Sequence, residues 1–553
     1  MDLGQINGVY GEVGGLPTLV SASVSEEQLP ELRIYTVSAE WSQRDPVRGS
    51  RLHFSQQWTV MADSNNHKSI KTILPPGPCV HVCAELLTAI SPIRGLRALI
   101  RETCGHQLLE IWDHYGLRKC LNLTALDKHD RVYDDAQFGC LSWSDCENRL
   151  LYVAEKNKFM DTNDGETFCG KDRRVYCEDW GEGLSNKSVA VICVVNLQNG
   201  HITVLQGVPP DVSPGQALWA PGSQSVIFVG WYHEPFRLGL KFCSNRRSTL
   251  FKLDLDGNCE CLSGDNLSVS CPRLSPDGTT LIYRQGRVFG PHSQCHSLQQ
   301  LDLRSGKTST LLDVVNRPQP DPLPDPPLLP PPPPPPPPPH LHHQEHKREQ
   351  EGLSDVPKLY GSWKLLTIRN DLMVVCCSSP NIPPTLRAVL TALQTDNSLD
   401  PKRLAVIGGS HGGFLSCHLV GQYPEFYRAC AARNPVINAA TLLGTSDIVD
   451  WRYSSMGFQY SYDQIPTAEA LAAMLEKSPI VHAAQIKAPV LLMLGGRDKR
   501  VSPHQGLELY KALKSRALPV RLLWFPEDGH SLSRVDTQAD CFLNTVLWLQ
   551  EHV

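Results

Sequence analysis

The chain has no run of about 18 apolar residues, so no membrane-spanning helix is expected. It has no basic surplus. Over 553 residues, 52 Lys and Arg stand against 57 Asp and Glu, for a net charge of −5. A general nucleic-acid binder would show a basic face, so that class is set aside. The opening MDLGQINGVYGEVGG carries two acids and no apolar stretch, which predicts no secretory leader. Without export, Asn122-Leu-Thr124, Asn186-Lys-Ser188 and Asn266-Leu-Ser268 read as chance matches to the glycosylation pattern. The 19 Cys lack metal-ligand spacing: Cys259-x-Cys261 and the Cys376-Cys377 pair are too short and isolated for a four-ligand zinc site. They are expected to be mostly buried or neutral thiols, with no metal.

Three segments share a rhythm: 139–155 (GCLSWSDCENRLLYVAE), 213–231 (SPGQALWAPGSQSVIFVGW) and 270–285 (SCPRLSPDGTTLIYRQ). Each runs from an apolar or aromatic residue through a turn into a short β-rich stretch. The turns Ala220-Pro221-Gly222 and Ser275-Pro276-Asp277-Gly278 use Pro to preset φ and Gly to permit positive φ. AVICVVNL before Gln198-Asn199-Gly200, and the runs before Asp256-Gly257 and Ser305-Gly306, add further strands. A sandwich of unrelated hairpins would also use such strands, but the repeated unit favours an all-β propeller over residues 1–317.

Of the 44 prolines, 16 fall in one tract over residues 318–339, ten of them in succession from Pro330 to Pro339. Polyproline lacks backbone donors and forms an extended helix, so 318–357 reads as a low-complexity linker. Nearby His340, His342, His343 and His346 read as solvated linker rather than a metal site. GSWKLLTIRNDLMVVCC over 361–377 reads as two more strands, making 358–385 the propeller's last piece. From residue 386 onward, apolar strand runs alternate with helical patterns, including a helix over 386–393. That alternation indicates a mainly parallel α/β domain over 386–553.

Within LAVIGGSHGGFLSCHLV lies Gly408-Gly409-Ser410-His411-Gly412. This G-x-S-x-G follows a buried strand and precedes a helix, the context of a nucleophile elbow. The tight turn asks for Gly408 and Gly412, and it presents the Ser410 hydroxyl above the sheet. The His411 backbone N–H is the expected oxyanion donor. A serine nucleophile needs a base and an orienting acid. Asp498 follows the strand VLLML, and His530 follows the next strand, VRLLWF; both therefore occupy loops at the carboxyl ends of strands. Asp447, Asp450 and Asp528 compete as acids, and His482, His504 and His552 as bases. None follows a buried strand as directly.

GGSHGGF, LLMLGGRDKRV and FPEDGHSL resemble the prolyl oligopeptidase family of serine peptidases. FVGWYHEPFRLGLKFCSNRRS and SPGQALWAPG are similar to its acylaminoacyl-peptidase branch in the propeller as well. The resemblance implies a propeller joined to an α/β-hydrolase with the triad Ser410, Asp498 and His530. It implies release of an N-acylated residue from the blocked end of short peptides, with the propeller limiting access. It further implies a cytoplasmic homo-oligomer without cofactors; with the charge balance and the lack of a long apolar run, neither nucleic acid nor membrane is expected as a partner.

The chain departs from that pattern before Ser410. Little more than one βαβ unit, about 30 residues, separates Cys377 from the elbow, so the hydrolase is expected to lack its first strands. The one His-Gly-Gly in the chain is His411-Gly412-Gly413 at the elbow itself, where such a loop would otherwise supply a second oxyanion donor. The alternative expectation is a catalytically impaired chain acting as a propeller interaction module or regulatory subunit. A lipase or esterase on the same triad is disfavoured by the propeller.

Overall fold

The computed structural model of the chain describes residues 2–30, 32–63, 70–157, 176–292, 294–314, 363–368, 372–377, 394 and 399–553. The proline-rich linker expected over 318–357, the helix expected over 386–393 and the junction near Pro384 lie outside the described residues.

After a helix at Leu3–Gly14, five antiparallel sheets follow in chain order, within residues 18–82, 85–122, 141–204, 212–261 and 267–312. They are the blades of a five-bladed propeller. The first has five strands and the others four.

The repeated tryptophans mark the seams between blades. Trp143 Nε1 donates to the Ala89 carbonyl of the preceding blade at 3.1 Å, and Trp219 Nε1 donates to the Ser142 carbonyl at 3.2 Å. The turns are stitched likewise: Asp145 N–H donates to Ser223 Oγ, and Gly222 N–H donates to Asp145 Oδ2, both at 2.8 Å. The sequence rhythm is thus the repeated contact of one blade's inner strand and turn with the next. Between blades, Phe138, Val229, Trp231, Leu250 and Phe251 pack into one continuous apolar core.

The C-terminal sheet has six strands in chain order: β1 (Trp363–Ile368), β2 (Leu372–Cys377), β3 (Leu404–Gly409), β4 (Ala429–Arg433), β5 (Val490–Gly495) and β6 (Val520–Phe525). β1 and β2 are antiparallel, and every later neighbour is parallel. This corrects the expectation for 358–385. β1 and β2 are not the last propeller strands, because β2 is hydrogen-bonded to the elbow strand β3. The reason is visible in β2 itself. LMVVCC is apolar at every position, which suits a strand covered on both faces rather than one of alternating exposure.

Among the described residues, helices α1 (His411–Gln422), α2 (Ala439–Leu442), α3 (Val449–Ser455), α4 (Ala468–Glu476), α5 (His504–Lys514) and α6 (Val535–His552) accompany the sheet. Alternate strand residues separate its two apolar layers. Leu404, Val406, Val490 and Leu492 pack with Cys417 and Val420 of α1 and Leu509 and Leu513 of α5. Ala405, Leu491 and Met493 face Cys541, Trp548 and Leu549 of α6. This three-layer arrangement fixes β3, β4, β5 and β6 side by side in that order, with their carboxyl ends on one edge.

The propeller docks on that edge through buried charge. Arg246 of the propeller donates to both carboxylate oxygens of Asp450, at 2.7 and 3.1 Å. Asp450 is 1% exposed and Arg246 4%. Burial would raise the Asp450 carboxyl, but the Arg246 charge and a His292 hydrogen bond hold it well below the usual carboxylate range. Replacing Arg246 alone with Met should therefore cost about 3–5 kcal/mol by stranding Asp450. The paired change Arg246→Met with Asp450→Leu should recover most of that loss. Denaturant titration checks both, and equal midpoints for Arg246→Met and wild type would remove the ion pair from the account.

Candidate active site

β3 ends at Gly409 and α1 begins at His411, so Ser410 alone makes the turn between them. Its φ of 56° and ψ of −118° lie where a residue with a side chain is strained. Hydrogen bonds hold that strain in place. Ser410 N–H donates to the Arg433 carbonyl of β4 at 2.8 Å, and the Ser410 carbonyl accepts from Phe414 N–H at 3.0 Å. A Cβ on Gly408 would stand 2.1 Å from the Gly412 carbonyl oxygen, so the turn closes only on glycine there. Gly413, not anticipated from sequence, is constrained less tightly: its Cβ would stand 2.7 Å from Pro435 Cβ. The Gly412 carbonyl also accepts from Ser416 Oγ at 2.9 Å.

The structure brings Ser410, His530 and Asp498 together. His530 Nε2 is 2.8 Å from Ser410 Oγ, and His530 Nδ1 is 2.7 Å from Asp498 Oδ2. The Asp498 side chain is wholly buried, while that of His530 keeps 12% exposure. Asp498 Oδ1 accepts two backbone N–H groups, from Arg500 and Val501, each at 2.8 Å. The loop after β5 thus clamps one oxygen and offers the other to the imidazole.

The competing acids are occupied elsewhere. Asp528 accepts from Thr537 Oγ1 and Arg534 N–H, Asp447 pairs with Arg500, and Asp450 pairs with Arg246. Among the histidines, His504 Nδ1 lies beside Ser502 Oγ, His482 beside Gln422, and His552 against Trp548. His411 is the first residue of α1, with its ring between Phe414 and Trp451. Beneath it, His418 faces the Lys477 carbonyl, and burial pushes its imidazole down to about 4. That ring is neutral at physiological pH.

Two supporting residues escaped the sequence reading. Asn434 ends β4 with φ 40°, a left-handed conformation that Asn tolerates better than most side chains. Its Oδ1 accepts from Gly495 N–H at 2.8 Å, and its Nδ2 donates to the His530 carbonyl at 2.8 Å, tying the two loops together. Asn before Pro435 directly after an apolar strand was the available signal. The second is Glu182, which reaches in from the propeller. Its Oε1 accepts from His530 N–H at 2.8 Å and its Oε2 from Lys499 N–H at 3.0 Å. Glycines on both sides let the backbone come close: a Cβ on Gly529 would meet Glu182 Oε1 at 2.3 Å, and one on Gly181 would meet Asp447 Oδ2 at 2.5 Å. No local pattern identifies Glu182, since its partners are distant in sequence.

Among the described residues, no group of three or more His, Cys, Asp or Glu is placed to hold a metal ion. No helix among them is long and apolar enough to cross a membrane.

Comparison with known proteins agrees with this layout. Residues 31–317 match the N-terminal domain of acylamino-acid-releasing enzyme, and residues 385–553 match the prolyl oligopeptidase family. The chain is 36% identical to the acylamino-acid-releasing enzyme of Mus musculus over 719 residues, covering 99% of this chain and 98% of that one. The Homo sapiens enzyme is 35% identical over the same shares. Those alignments are longer than the 553 residues present, so these relatives carry internal stretches with no counterpart here. In fold, the chain is similar to Pyrococcus horikoshii acylaminoacyl peptidase, with a TM-score of 0.54 and 12% identity over 96% of both chains. A propeller joined to an α/β-hydrolase, together with relatives this similar along nearly the whole chain, places this protein in the acylamino-acid-releasing enzyme family of prolyl oligopeptidase-type serine peptidases.

Proposed function

We propose that the chain is a serine peptidase that releases an N-acylated amino acid from the blocked N-terminus of short peptides, with Ser410 as nucleophile. The observation that carries this reading is the continuous hydrogen-bond chain from Ser410 Oγ through His530 to Asp498, at 2.8 and 2.7 Å. His530 Nε2 takes the hydroxyl proton as Ser410 attacks the scissile carbonyl. It then returns that proton to the leaving amine. Asp498 fixes the imidazole tautomer and stabilises the imidazolium. The acyl-enzyme is opened by water with His530 again as base. The His411 N–H, at the start of α1, donates to the developing oxyanion, aided by the field of the helix terminus. The propeller restricts entry to short peptides.

A fluorophosphonate probe should form one adduct per chain, on Ser410, and His530→Ala should abolish it. Folded chain that stays unlabelled would defeat the nucleophile assignment.

The second reading, an impaired chain serving as an interaction module, draws on the single His-Gly-Gly at residues 411–413. Loss of one oxyanion donor costs about 10²–10³ in kcat. The assembled serine, histidine and aspartate favour the catalytic reading. No such hydrogen-bond chain is needed for binding alone.

A further inference from the structure

Where the propeller meets the hydrolase, a second nucleophile–histidine–carboxylate chain is assembled, separate from Ser410. Cys243 Sγ lies 3.1 Å from His292 Nδ1, and His292 Nε2 lies 2.9 Å from Asp450 Oδ2. Cys243 and His292 come from the propeller, and Asp450 from α3. A neutral imidazole has one N–H, so with Nε2 donating to Asp450, Nδ1 is left as an acceptor facing the sulfur, whose proton has one other acceptor, the Lys241 carbonyl at 3.5 Å. Arg246, hydrogen-bonded to the same carboxylate, adds a second positive charge. Burial pushes the thiol up, but Arg246 and His292 outweigh it, and the net shift is downward. His292 is correspondingly raised, its bonds to Asp450 and Cys243 outweighing the burial that lowers it. Cys243 and His292 are each 9% exposed, against 1% for Asp450. All three groups are therefore buried in the seam between the domains.

We propose that Cys243 is a modifiable thiol at the domain seam, oxidised by hydrogen peroxide with loss of peptidase activity. The thiolate attacks one peroxide oxygen. An S–O bond forms and the O–O bond breaks. Sulfur gives up two electrons to become a sulfenic acid, and the departing hydroxide takes the His292 proton to leave as water. The added oxygen displaces His292 from the sulfur and disturbs Asp450. Asp450 lies in the first turn of α3, which also carries Trp451, whose ring lies 5.5 Å from the His411 ring beside Ser410. The oxidation site stands independently of Ser410, whereas the effect on turnover rests on the catalytic role given to Ser410 above.

The test treats the full chain with peroxide and dimedone at pH 6, where an ordinary thiol is only about 0.3% thiolate. Peptide mass spectrometry then follows each cysteine. Cys243 should gain the adduct at least about tenfold faster than the fully buried Cys417 and Cys430, and His292→Asn should remove that advantage. An adduct on Cys243 that appears only together with those on Cys417 and Cys430 would mean unfolding and overturn the site. So would an unchanged rate in His292→Asn. Turnover should fall in step with the Cys243 adduct, while Cys243→Ser keeps basal activity and resists peroxide. Equal inactivation of Cys243→Ser would overturn the coupling. A chain with no turnover before treatment would contradict the Ser410 reading, and the adduct rate would still decide the thiol.

Discussion

Replacing Ser410 with Ala is expected to lower kcat for an N-acetylated peptide by about 10⁶-fold, the scale on which serine peptidases depend on this group. Nothing else in the site replaces it. The elbow offers one hydroxyl, and His530 Nε2 has no second nucleophile to activate at 2.8 Å. His530→Ala should cost nearly as much, and the double variant little more, because the two side chains act as one unit. The folded structure should survive the serine change. Ser410 contributes its backbone N–H and carbonyl to the turn, and its side chain makes no cap bond to the helix. Steady-state kinetics with circular dichroism as the folding control checks this. A variant that retains a tenth of wild-type turnover would show that the reaction runs elsewhere.

Asp498→Asn is expected to lower kcat by about 10⁴-fold, with little change in KM or stability. The argument comes from the two oxygens. Oδ1 accepts N–H groups from Arg500 and Val501, so the amide oxygen of Asn must settle there. That places the NH₂ where Oδ2 now faces His530 Nδ1 at 2.7 Å. An amide NH₂ can only donate, which forces the imidazole proton onto Nε2. The ring then offers Ser410 a donor where catalysis requires an acceptor. Asp498→Asn with unchanged kcat would mean that the aspartate only packs beneath the imidazole.

The loops that carry Ser410, Asp498 and His530 were legible because their signals are local. Each candidate residue follows an apolar run short enough to be a strand, and a buried parallel sheet carries its loops at the carboxyl ends of such runs. Less local features were lost. β4 reads ACAAR, and alanine-rich segments are poor strand signals. It forms because small side chains lie between β3 and β5, where α1 closes down on the sheet. Thr18–Gln28 alternates only over the short, weakly apolar run VSASVS and is exposed along its whole length, so no buried face marks it. β1 and β2 were assigned to the propeller because a hairpin looks alike in either sheet; the partner strand β3 decides. Glu182 was invisible for the same reason. Its meaning lies in the His530 and Lys499 amides it bridges, and both belong to the other domain.

The relatives' extra internal stretches give the fold-level lesson a functional edge. Among the described residues, the hydrolase sheet has two strands before the elbow strand, and one of them, β2, protects its edge by pairing with β3. The elbow therefore rests on a covered strand rather than an open one.

The most direct measurement incubates the purified chain with acetyl-Ala-Ala-Ala and with the same peptide unblocked, following products by mass spectrometry. The account predicts release of acetyl-alanine and Ala-Ala from the blocked peptide, its loss in Ser410→Ala, and no cleavage of the free-amine peptide. An intact blocked peptide in the presence of folded chain, or equal cleavage of both peptides, would contradict it.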